Sequence, residues 1–321
     1  MGIALFIKGD IVQALDCYKR AATIKPDSAF AYYNMGNAQH TGGEITGAIA
    51  SYKKALEINP YNQTVLTQKL HQQSHICDWA AMQINQKRIS KLGPSNQIVD
   101  IWGLLSLEDA PERHRLRAEN YVKRQFKQDF MCIHAKPKTK PFRLRVGYFS
   151  ADFQNHPAMF LMVGMLAAHD RNKFEIYAYS YGPDSDDDMP HRAAAAVDVF
   201  KEVREMTDPD LAILARHDKI DIAIDLSGNT RNSRTGIFAH SAAPVQINYL
   251  GYAGTLGTDF IDYIVADKRI IPDGSEDYFS EKIIYMPHTY YPTDNKMLVS
   301  GKPITREEMG LPEKSFGFLL L

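Results

Sequence analysis

Residues 144–157 read Leu-Arg-Val-Gly-Tyr-Phe-Ser-Ala-Asp-Phe-Gln-Asn-His-Pro, and this stretch decides the fold. Apolar residues alternate up to a polar turn, and a long apolar run follows the closing proline. The pattern predicts a strand, a loop and a helix that starts at Pro157, where the missing N–H of proline is not needed. Parallel α/β sheets bind ligands just beyond the carboxyl ends of their strands. We therefore expect a ligand site that includes Asp152, Asn155 and His156.

The chain beyond residue 143 alternates strand patterns with helical patterns, which predicts βαβ units in a buried parallel sheet. The predicted strands are 143–150, 173–181, 220–226, 245–250, 260–266 and 283–286, and the predicted helices are 157–168, 190–197, 210–217 and 234–241. Polar loops follow three of the later strands, at 225–231, 251–257 and 286–289. Glycines in such loops let backbone N–H groups approach a ligand, and threonine hydroxyls bond to phosphate or sugar oxygens. Polar loops at several strand ends together indicate a ligand site.

Structural roles remain open for the polar side chains of these loops. His156 can cap the helix that begins at the next residue, and on the residues alone this role is favoured. Thr230 can serve as an N-cap or turn hydroxyl. Asp152 can bond its own backbone in a turn, or it can orient His156.

The N-terminal arm repeats with a period of 34 residues. This offset relates Gly2 to Gly36, Gly9 to Gly43, Ala14 to Ala48, Tyr18 to Tyr52, Ala21 to Ala55, and Pro26 to Pro60. Small residues, an aromatic residue and a closing proline at this period predict tetratricopeptide repeats over 1–64. The helices predicted at 29–41 and 44–58 form one antiparallel pair. Because Met1 falls inside a first helix, we expect an apolar face at that end of the stack.

Residues 65–133 continue as helices without a fixed period, over 65–74, 79–92, 98–106 and 111–130. His71 and His75 have the spacing of a helical zinc pair, but no closing pair of ligands follows, and a structural role is favoured. Trp79 is predicted to anchor the core. Residues 134–142, with their prolines and lysines, are predicted to link this part to a domain at 143–321.

The composition is that of an ordinary globular protein: of 321 residues, 45% are apolar and 23% are charged. A formal net charge of −1 attracts neither nucleic acid nor an anionic membrane, and no apolar stretch is long enough to span a bilayer. The three cysteines are distant and odd in number, so a disulfide framework is not expected. The start of the chain lacks the features of a secretory signal. We predict a cytoplasmic protein without nucleic-acid or membrane partners.

Motifs along nearly the whole chain resemble the O-linked N-acetylglucosamine transferases, the O-GlcNAc transferase and SPINDLY-like proteins. Besides the repeats, these motifs are Cys77-Asp78-Trp79, Leu105 to Asp109, Leu144 to Phe153 with Asn155-His156-Pro157, Asp225-Leu226-Ser227-Gly228 with Thr230, Ala243 to Gln246, Leu250-Gly251-Tyr252 with Gly254, Thr255 and Gly257, and Ser280-Glu281-Lys282 with Tyr285-Met286-Pro287. The resemblance implies an α + α/β chain, in which a tetratricopeptide array precedes the N-terminal Rossmann-like lobe of a GT-B glycosyltransferase.

The resemblance also implies an inverting, metal-independent transfer of N-acetylglucosamine, or in some relatives fucose, to Ser or Thr of proteins that the repeats select. The expected donor is UDP-GlcNAc, and no cofactor is expected beyond this nucleotide sugar. His156 matches a histidine suggested as the base, although a phosphate oxygen of the donor could take the proton instead. The residues expected to bind substrate are Asp152, Asn155, Gly228, Thr230, Leu250, Gly251, Tyr252, Gly254, Thr255 and His288.

The sequence departs from the family's pattern in its loops and at its end. Asn229 stands where relatives often carry His or Tyr, and Ala253 stands where they usually carry Pro, which would alter the donor or loosen the loops. In the family a second lobe holds the nucleotide diphosphate, whereas residues 316–321 resemble only the first strand of that lobe. Because the departing diphosphate must be neutralised, we expect little activity from this chain alone. The alternative is a non-catalytic tetratricopeptide scaffold that binds peptides.

Overall fold

The computed structural model describes residues 1–94, 99–126, 141–297, 301–312 and 314. The helices are α1 Gly2–Ile7, α2 Ile11–Ile24, α3 Ala29–Thr41, α4 Ile45–Ile58, α5 Gln63–His75, α6 Trp79–Ile89, α7 Ile101–Leu105, α8 Pro111–Gln125, α9 Pro157–Ala168, α10 Met189–Ala195, α11 Asp208–His217 and α12 Gly236–Ala239. The strands are β1 Leu144–Ser150, β2 Phe174–Ser180, β3 Val199–Glu202, β4 Ile222–Asp225, β5 Val245–Tyr249, β6 Tyr263–Ala266 and β7 Lys282–Tyr285. A helical part therefore precedes an α/β part, as predicted.

The packing of α1 on α2 is repeated by α3 on α4. A Cβ atom at Gly2 would lie 2.8 Å from the ring of Tyr18, and a Cβ atom at Gly36 would lie 2.5 Å from the ring of Tyr52. In each pair only glycine lets the first helix approach the buried tyrosine of the second. The repeat found in the sequence is thus a repeat of contacts, and the predicted tetratricopeptide array is confirmed.

A buried arginine ties the last helix of the helical part to α6. Arg117 on α8 donates to the carbonyl oxygens of Leu92 at 2.7 Å and Ile89 at 2.9 Å, and its guanidinium pairs with Glu108. Ile89 is the last residue of α6, and Leu92 lies in the turn that follows it, so the first of these carbonyls is one that a helix end leaves unsatisfied. The arginine therefore caps α6 while it fixes the position of α8.

Trp79 is not a core anchor, and this prediction is wrong. Trp79 is the first residue of α6 and is 65% exposed. Asp78 caps the helix by accepting the N–H of Ala81 at 3.1 Å, which fixes the helix start but leaves its first residue facing solvent. The residues that α6 buries are Asn85 and Ile89, near its other end.

The α/β part contains a parallel seven-stranded sheet in the order β3-β2-β1-β4-β5-β6-β7. The predicted strands correspond to β1, β2, β4, β5, β6 and β7, with ends that shift by a few residues. Strand β3 was not predicted. It is a four-residue strand at the edge of the sheet, and its side chains are only partly buried, so the apolar pattern that marks a strand is weak there.

Each face of the sheet carries its own hydrophobic core. On one face Met159 of α9 packs against the strands. On the other face Leu211 of α11 and Phe238 of α12 pack together with Ile101 of α7 and Ala118 of α8. Burial on both faces is typical of parallel sheets. Because α7 and α8 belong to the helical part, that part joins the sheet through a shared core.

Two predictions lie wholly or mostly outside the described residues: the linker at 134–142, of which only its last two residues are described, and the strand at 316–321. The domain boundaries at residues 64, 133 and 142 stay predictions.

In the described ranges, no helix is both long enough and apolar enough to cross a membrane.

Candidate active site

The order of the strands reverses between β1 and β4. The chain moves outward from β1 through β2 to β3, returns to place β4 on the other side of β1, and continues through β5 to β7. The loops that follow β1 and β4 therefore flank the crevice in which open α/β sheets bind their ligands. The predicted site residues that follow these two strands are Asp152, Asn155, His156, Gly228 and Thr230.

The loop after β1 places His156 at the N-cap of α9. Its Nδ1 atom accepts the backbone N–H of Ala158 at 3.2 Å and lies 3.7 Å from Oδ2 of Asp152. Burial raises the pKa of Asp152, and the nearby His156 offsets only part of this effect. Asn155 is exposed, and its backbone N–H donates to Asp187 at 2.9 Å. The loop is thus held by its own side chains and by the loop that follows β2.

The capping bond determines which nitrogen of the neutral His156 ring carries the proton. A nitrogen that accepts an N–H bond is unprotonated, so this hydrogen-bond network assigns the proton to Nε2. In this conformation Nε2 is a hydrogen-bond donor. It becomes a proton acceptor only if Nε2 loses its proton and Nδ1 gains one. The bond from Ala158 is then lost, and Asp152 is the nearby acceptor for the new Nδ1–H. The capping role left open by the sequence is therefore present, and a base role requires this rearrangement.

The loop after β4 is a tight turn built on Gly228. Its φ is +56°, and a Cβ atom there would lie 2.6 Å from the Cβ of Tyr252. The carboxyl of Asp225 accepts the backbone N–H groups of Ser227 at 2.9 Å and Gly228 at 3.0 Å. The hydroxyl of Thr230 donates to the carbonyl oxygen of Ser227 at 2.8 Å, so the turn role holds, while its oxygen can still accept a bond from a ligand.

The loop after β5 contacts the β4 loop backbone to backbone. A Cβ atom at Gly251 would lie 2.0 Å from the carbonyl oxygen of Leu226. The preceding Leu250 has a φ of +71°, a conformation that is costly for a residue with a branched side chain. Tyr252 is buried, and Nδ2 of Asn248 donates to its carbonyl oxygen at 3.1 Å. The two loops therefore form one rigid unit at the carboxyl edge of the sheet.

Thr255 and Gly254 have roles inside the protein. The hydroxyl of Thr255 is buried, donates to Oε2 of Glu281 at 2.6 Å and accepts the N–H of Gly257 at 3.1 Å. A Cβ atom at Gly254 would lie 2.8 Å from the ring of Tyr252. Both residues shape the loop after β5, and their expected contact with a substrate stays a prediction.

A cavity of about 630 Å³ lies between the repeat helices and the β4 loop. This volume is within the range of small-molecule and peptide side-chain sites. The residues that line it are Tyr33, Asn37, His40, Thr64, Gln68, His71, Val99, Asp100, Ile101, Trp102, Tyr121, Asn229, Thr230, Arg231 and Ser233. The loop at the switch point of the sheet thus faces the helical arm across one shared space.

Charge in this cavity is sparse. Burial lowers the pKa of His40, with Arg231 adding to the effect, and burial lowers the pKa of His71 in spite of the nearby carboxylate of Asp100. Both rings are therefore neutral at pH 7. Oδ2 of Asp100 accepts a bond from Nε2 of Gln68 at 3.2 Å. A wall of mostly neutral hydrogen-bonding groups suits an uncharged polar ligand, such as peptide amides or sugar hydroxyls.

The structure brings together some of the predicted site residues and separates others. Thr230 lines the cavity, and Gly228 lies beneath it in the same turn. Asp152 and His156 lie on the other side of the switch point and do not line the cavity. His288 is exposed and follows the edge strand β7, which β6 separates from β5, so it is not part of this cluster.

The sequence reasoning missed the cavity residues that the helical part contributes. Asn37 follows Gly36, and its side chain accepts a bond from the hydroxyl of Tyr52 at 2.8 Å, so the repeat itself fixes its direction. Trp102 lies in a segment without a period, and its ring is 6.0 Å from that of Tyr252. A signal existed for Arg231, which directly follows Thr230. No pattern in the sequence indicated which face of the sheet the helical part would cover.

The histidine pair in α5 has the helical spacing of metal ligands. The Nε2 atoms of His71 and His75 lie 3.2 Å apart, a distance that fits a hydrogen bond between a protonated and an unprotonated nitrogen. In the part of the chain that the structure describes, no group of three or more His, Cys, Asp or Glu is arranged to hold a metal ion.

A tetratricopeptide arm on a parallel Rossmann-like sheet, with polar loops at its switch point, defines the repeat-bearing N-terminal lobe of a GT-B glycosyltransferase. The sequence profile of glycosyl transferase family 41 matches residues 76–306, and the chain belongs to this family. Profiles of the tetratricopeptide repeat match residues 2–43 and 29–62. The resemblance found in the sequence is confirmed.

The chain matches only part of the length of the relatives that it resembles. A probable UDP-N-acetylglucosamine–peptide N-acetylglucosaminyltransferase, SEC of Arabidopsis thaliana, is 35% identical over 55% of this chain and 18% of its own length. The UDP-N-acetylglucosamine–peptide N-acetylglucosaminyltransferase of Caenorhabditis elegans is 34% identical over 49% of this chain and 14% of its own. An O-GlcNAc transferase mutant of Thermobaculum terrenum has a similar structure, with a TM-score of 0.64 and 28% identity over 91% of this chain and 50% of that chain.

Proposed function

We propose that this chain forms the acceptor-facing half of a protein O-GlcNAc transferase, which moves N-acetylglucosamine from UDP-GlcNAc to Ser or Thr hydroxyls of proteins. The observation that carries the proposal is the cavity shared by the repeat helices and the β4 loop. Tetratricopeptide helices bind extended peptides, and the switch point is where parallel sheets bind ligands. Membership of glycosyl transferase family 41 supports the proposed transfer reaction. The proposed partners are protein acceptors and a nucleotide sugar, in the cytoplasm.

The chemistry requires a group that receives the proton of the acceptor hydroxyl. The transfer forms a bond between that hydroxyl oxygen and C1 of the sugar, while the bond from C1 to the diphosphate breaks. As His156 stands, its Nε2–H would donate a bond. It would serve as a base only after the proton moves from Nε2 to Nδ1, so that Nδ1 no longer accepts from Ala158 and instead donates to Asp152. A phosphate oxygen of the donor is the other candidate for the proton.

We also propose that the chain on its own has little transfer activity and that the transfer needs no metal. An inverting transfer requires positive groups that stabilise the departing diphosphate. Of the cavity residues, all of which lie in the described ranges, Arg231 is the single Lys or Arg. The remaining groups must therefore come from outside this cavity.

The experiment measures two quantities on the purified chain in the presence of EDTA: transfer of labelled GlcNAc to a mixture of protein acceptors, and binding of Ser/Thr-containing peptides. We expect peptide binding with little product. Product should appear when the chain is expressed together with the C-terminal lobe of a family 41 relative. Failure of both peptide binding and assisted transfer would exclude the proposal.

A non-catalytic peptide-binding scaffold is the second candidate. The observation in its favour is that the helical part that precedes the sheet contributes most of the cavity wall, including Tyr33, Asn37 and Gln68. Peptide binding that persists without product, even with the supplied lobe, would select this candidate. Substitution Thr230→Val separates the two further, because it removes an oxygen of the switch-point loop while it leaves the arm's part of the wall unchanged.

A further inference from the structure

A fully buried carboxyl group lies directly beneath the loop that lines the cavity. Asp225, the last residue of β4, has no solvent exposure. Its Oδ1 atom accepts the N–H groups of Ser227 and Gly228, but its Oδ2 atom is buried and has no hydrogen-bond partner among the described residues. Buried polar atoms in folded proteins are nearly always paired, so an orphaned carboxyl oxygen calls for an explanation.

A second orphaned oxygen lies on the neighbouring strand. Asn248 of β5 is the register partner of Asp225 in the parallel ladder, and it too has no solvent exposure. Its Nδ2 atom donates to the carbonyl oxygen of Tyr252, and its Oδ1 atom is buried with no hydrogen-bond partner in the part of the chain that the structure describes. Register partners on adjacent strands project their side chains from the same face of the sheet.

Both orphaned groups border the same residue. A Cβ atom at Gly228 would lie 3.3 Å from Oδ1 of Asn248, and the N–H of Gly228 donates to Asp225. Two acceptors without hydrogens cannot satisfy each other, but one proton between them can satisfy both. The amide orientation of Asn248 cannot be reversed to supply that proton without loss of the bond to Tyr252.

We propose that in mildly acidic solution Asp225 is protonated in the folded chain and donates its proton to Asn248, and that this pair positions the β4 loop at the candidate active site. A single O–H···O bond satisfies both orphaned oxygens and avoids the cost of an isolated charge in the core. The positioning role rests on the proposed function, whereas the protonated pair does not.

The surroundings of Asp225 favour the neutral carboxylic acid. Burial raises the pKa of Asp225 to about 6, although its two backbone N–H bonds act in the opposite direction. Arg234 lies over the ring of Tyr181 and pairs with Asp208, and no cation of the described chain pairs with Asp225. The titratable group that interacts with Asp225 is the buried hydroxyl of Tyr181, and Asp152 and Arg234 act on the same tyrosine. The neighbouring strands β1 and β5 also carry Arg145, Tyr148 and Tyr249.

The state of the pair reaches the cavity through the turn. Asp225 bonds Ser227, and the carbonyl oxygen of Ser227 accepts the hydroxyl of Thr230. Loss of the proton would place a carboxylate against Oδ1 of Asn248. The charge would strengthen the two N–H bonds to Asp225, but the repulsion between the two oxygens would displace the turn and loosen the bonds between Ser227 and Thr230. The loop should therefore be best ordered when the proton is present.

The test compares Asp225→Asn with the unchanged chain in urea unfolding across pH. The amide keeps the acceptor for both N–H groups, and its own N–H donates to Asn248 at every pH. A carboxyl whose pKa is raised on folding stabilises least above that pKa, so the unchanged chain loses stability as pH rises from about 4 to above 6. We expect the variant to have the higher urea midpoint at pH 8, and the difference to shrink below pH 5.

Asp267→Asn is the matched control. Asp267 is also buried, but its carboxylate accepts the N–H groups of Arg269, Ile270 and Tyr290, and these bonds lower its pKa. Its amide variant should have a lower urea midpoint at pH 8, because an amide N–H would face a backbone N–H. If Asp225→Asn behaves like this control, the fold favours the ionised carboxylate of Asp225 over the neutral acid, and the proposal is overturned.

The positioning role has its own measurement. The amide hydrogen of Thr230 donates to the carbonyl oxygen of Ser227. Its exchange, corrected for the intrinsic effect of pH, should be faster at pH 8 than at pH 6 in the unchanged chain. It should stay the same in Asp225→Asn. Binding of a peptide found in the acceptor assay should follow the same pH dependence. Equal exchange in both proteins would overturn the positioning role, while peptide binding itself would still test the proposed function separately.

Discussion

The backbone angle of Gly228 restricts which residue can occupy this position of the β4 loop. Its φ of +56° disfavours any other residue, and its neighbour Tyr252 leaves no room for a Cβ atom. Gly228→Ala should therefore lower the free energy of unfolding by about 2–4 kcal/mol, from backbone strain and overpacking together. The matched control is Gly274→Ala, since Gly274 also has positive φ but has open space around it, and its cost should be only about 1 kcal/mol. Equal losses in urea unfolding would contradict this account.

The two roles of His156 can be separated by two substitutions. His156→Ala removes the helix cap and should cost about 1 kcal/mol, whereas His156→Asn restores a capping acceptor and should cost much less. Neither variant has an imidazole. If the ring takes part in the transfer, both should lose activity in the enzyme completed by the second lobe, although only one loses stability. Full activity of His156→Asn would show that the residue is a cap and nothing more. Thermal unfolding and a transfer assay on the same preparations measure both effects.

The repeat helices offer a comparison within one helical hairpin. A Cβ atom at Gly36 would lie 2.5 Å from the ring of buried Tyr52, whereas at Gly47 the atoms nearest to it belong to the flexible side chain of Gln39. Alanine favours a helix over glycine by about 1 kcal/mol at either position. Gly36→Ala should nevertheless destabilise the arm by about 1–3 kcal/mol, because the tyrosine cannot move aside. Gly47→Ala should be neutral or stabilising. Circular dichroism during thermal unfolding measures both variants, and a lower unfolding temperature for Gly47→Ala than for Gly36→Ala would contradict this account.

The elements themselves differ in how far the sequence predicts them. A period of 34 residues repeats the contact between a glycine and a tyrosine, so the amino-acid sequence alone is enough to predict the helical hairpins. The prediction for Trp79 fails because hydrophobicity does not tell which end of a helix meets the core. Strand β3 was missed because a short edge strand buries too little to show a pattern. The helical part contributes cavity residues such as Asn37 and Trp102. Their place in the cavity depends on how the helical part packs on the sheet, and no local sequence pattern contains that information.

At the scale of the whole molecule, two histidines of the helical part and Asp225 of the sheet respond to acid in opposite directions. Buried His40 and His71 of the arm have lowered pKa values, so the folded arm stays neutral where an unfolded chain takes up protons. Their contribution is complete above the ordinary pKa of 6.5 and is lost as pH falls below it. Asp225 of the sheet has a raised pKa of about 6, so its contribution improves as pH falls through that value.

Helices α3 and α5 should therefore open before strands β4 and β5 in mild acid. Amide hydrogen exchange at pH 5, corrected for its intrinsic rate and compared with pH 7.5, should show α3 and α5 losing protection while β4 and β5 keep theirs. His71→Gln removes one of the groups responsible and should reduce the loss in α5 without a change in the sheet. The cavity depends on both parts, so acceptor binding should fall together with protection of the arm. Uniform loss of protection along the chain would mean that the shared core of α7, α8 and the sheet makes the molecule unfold as one unit.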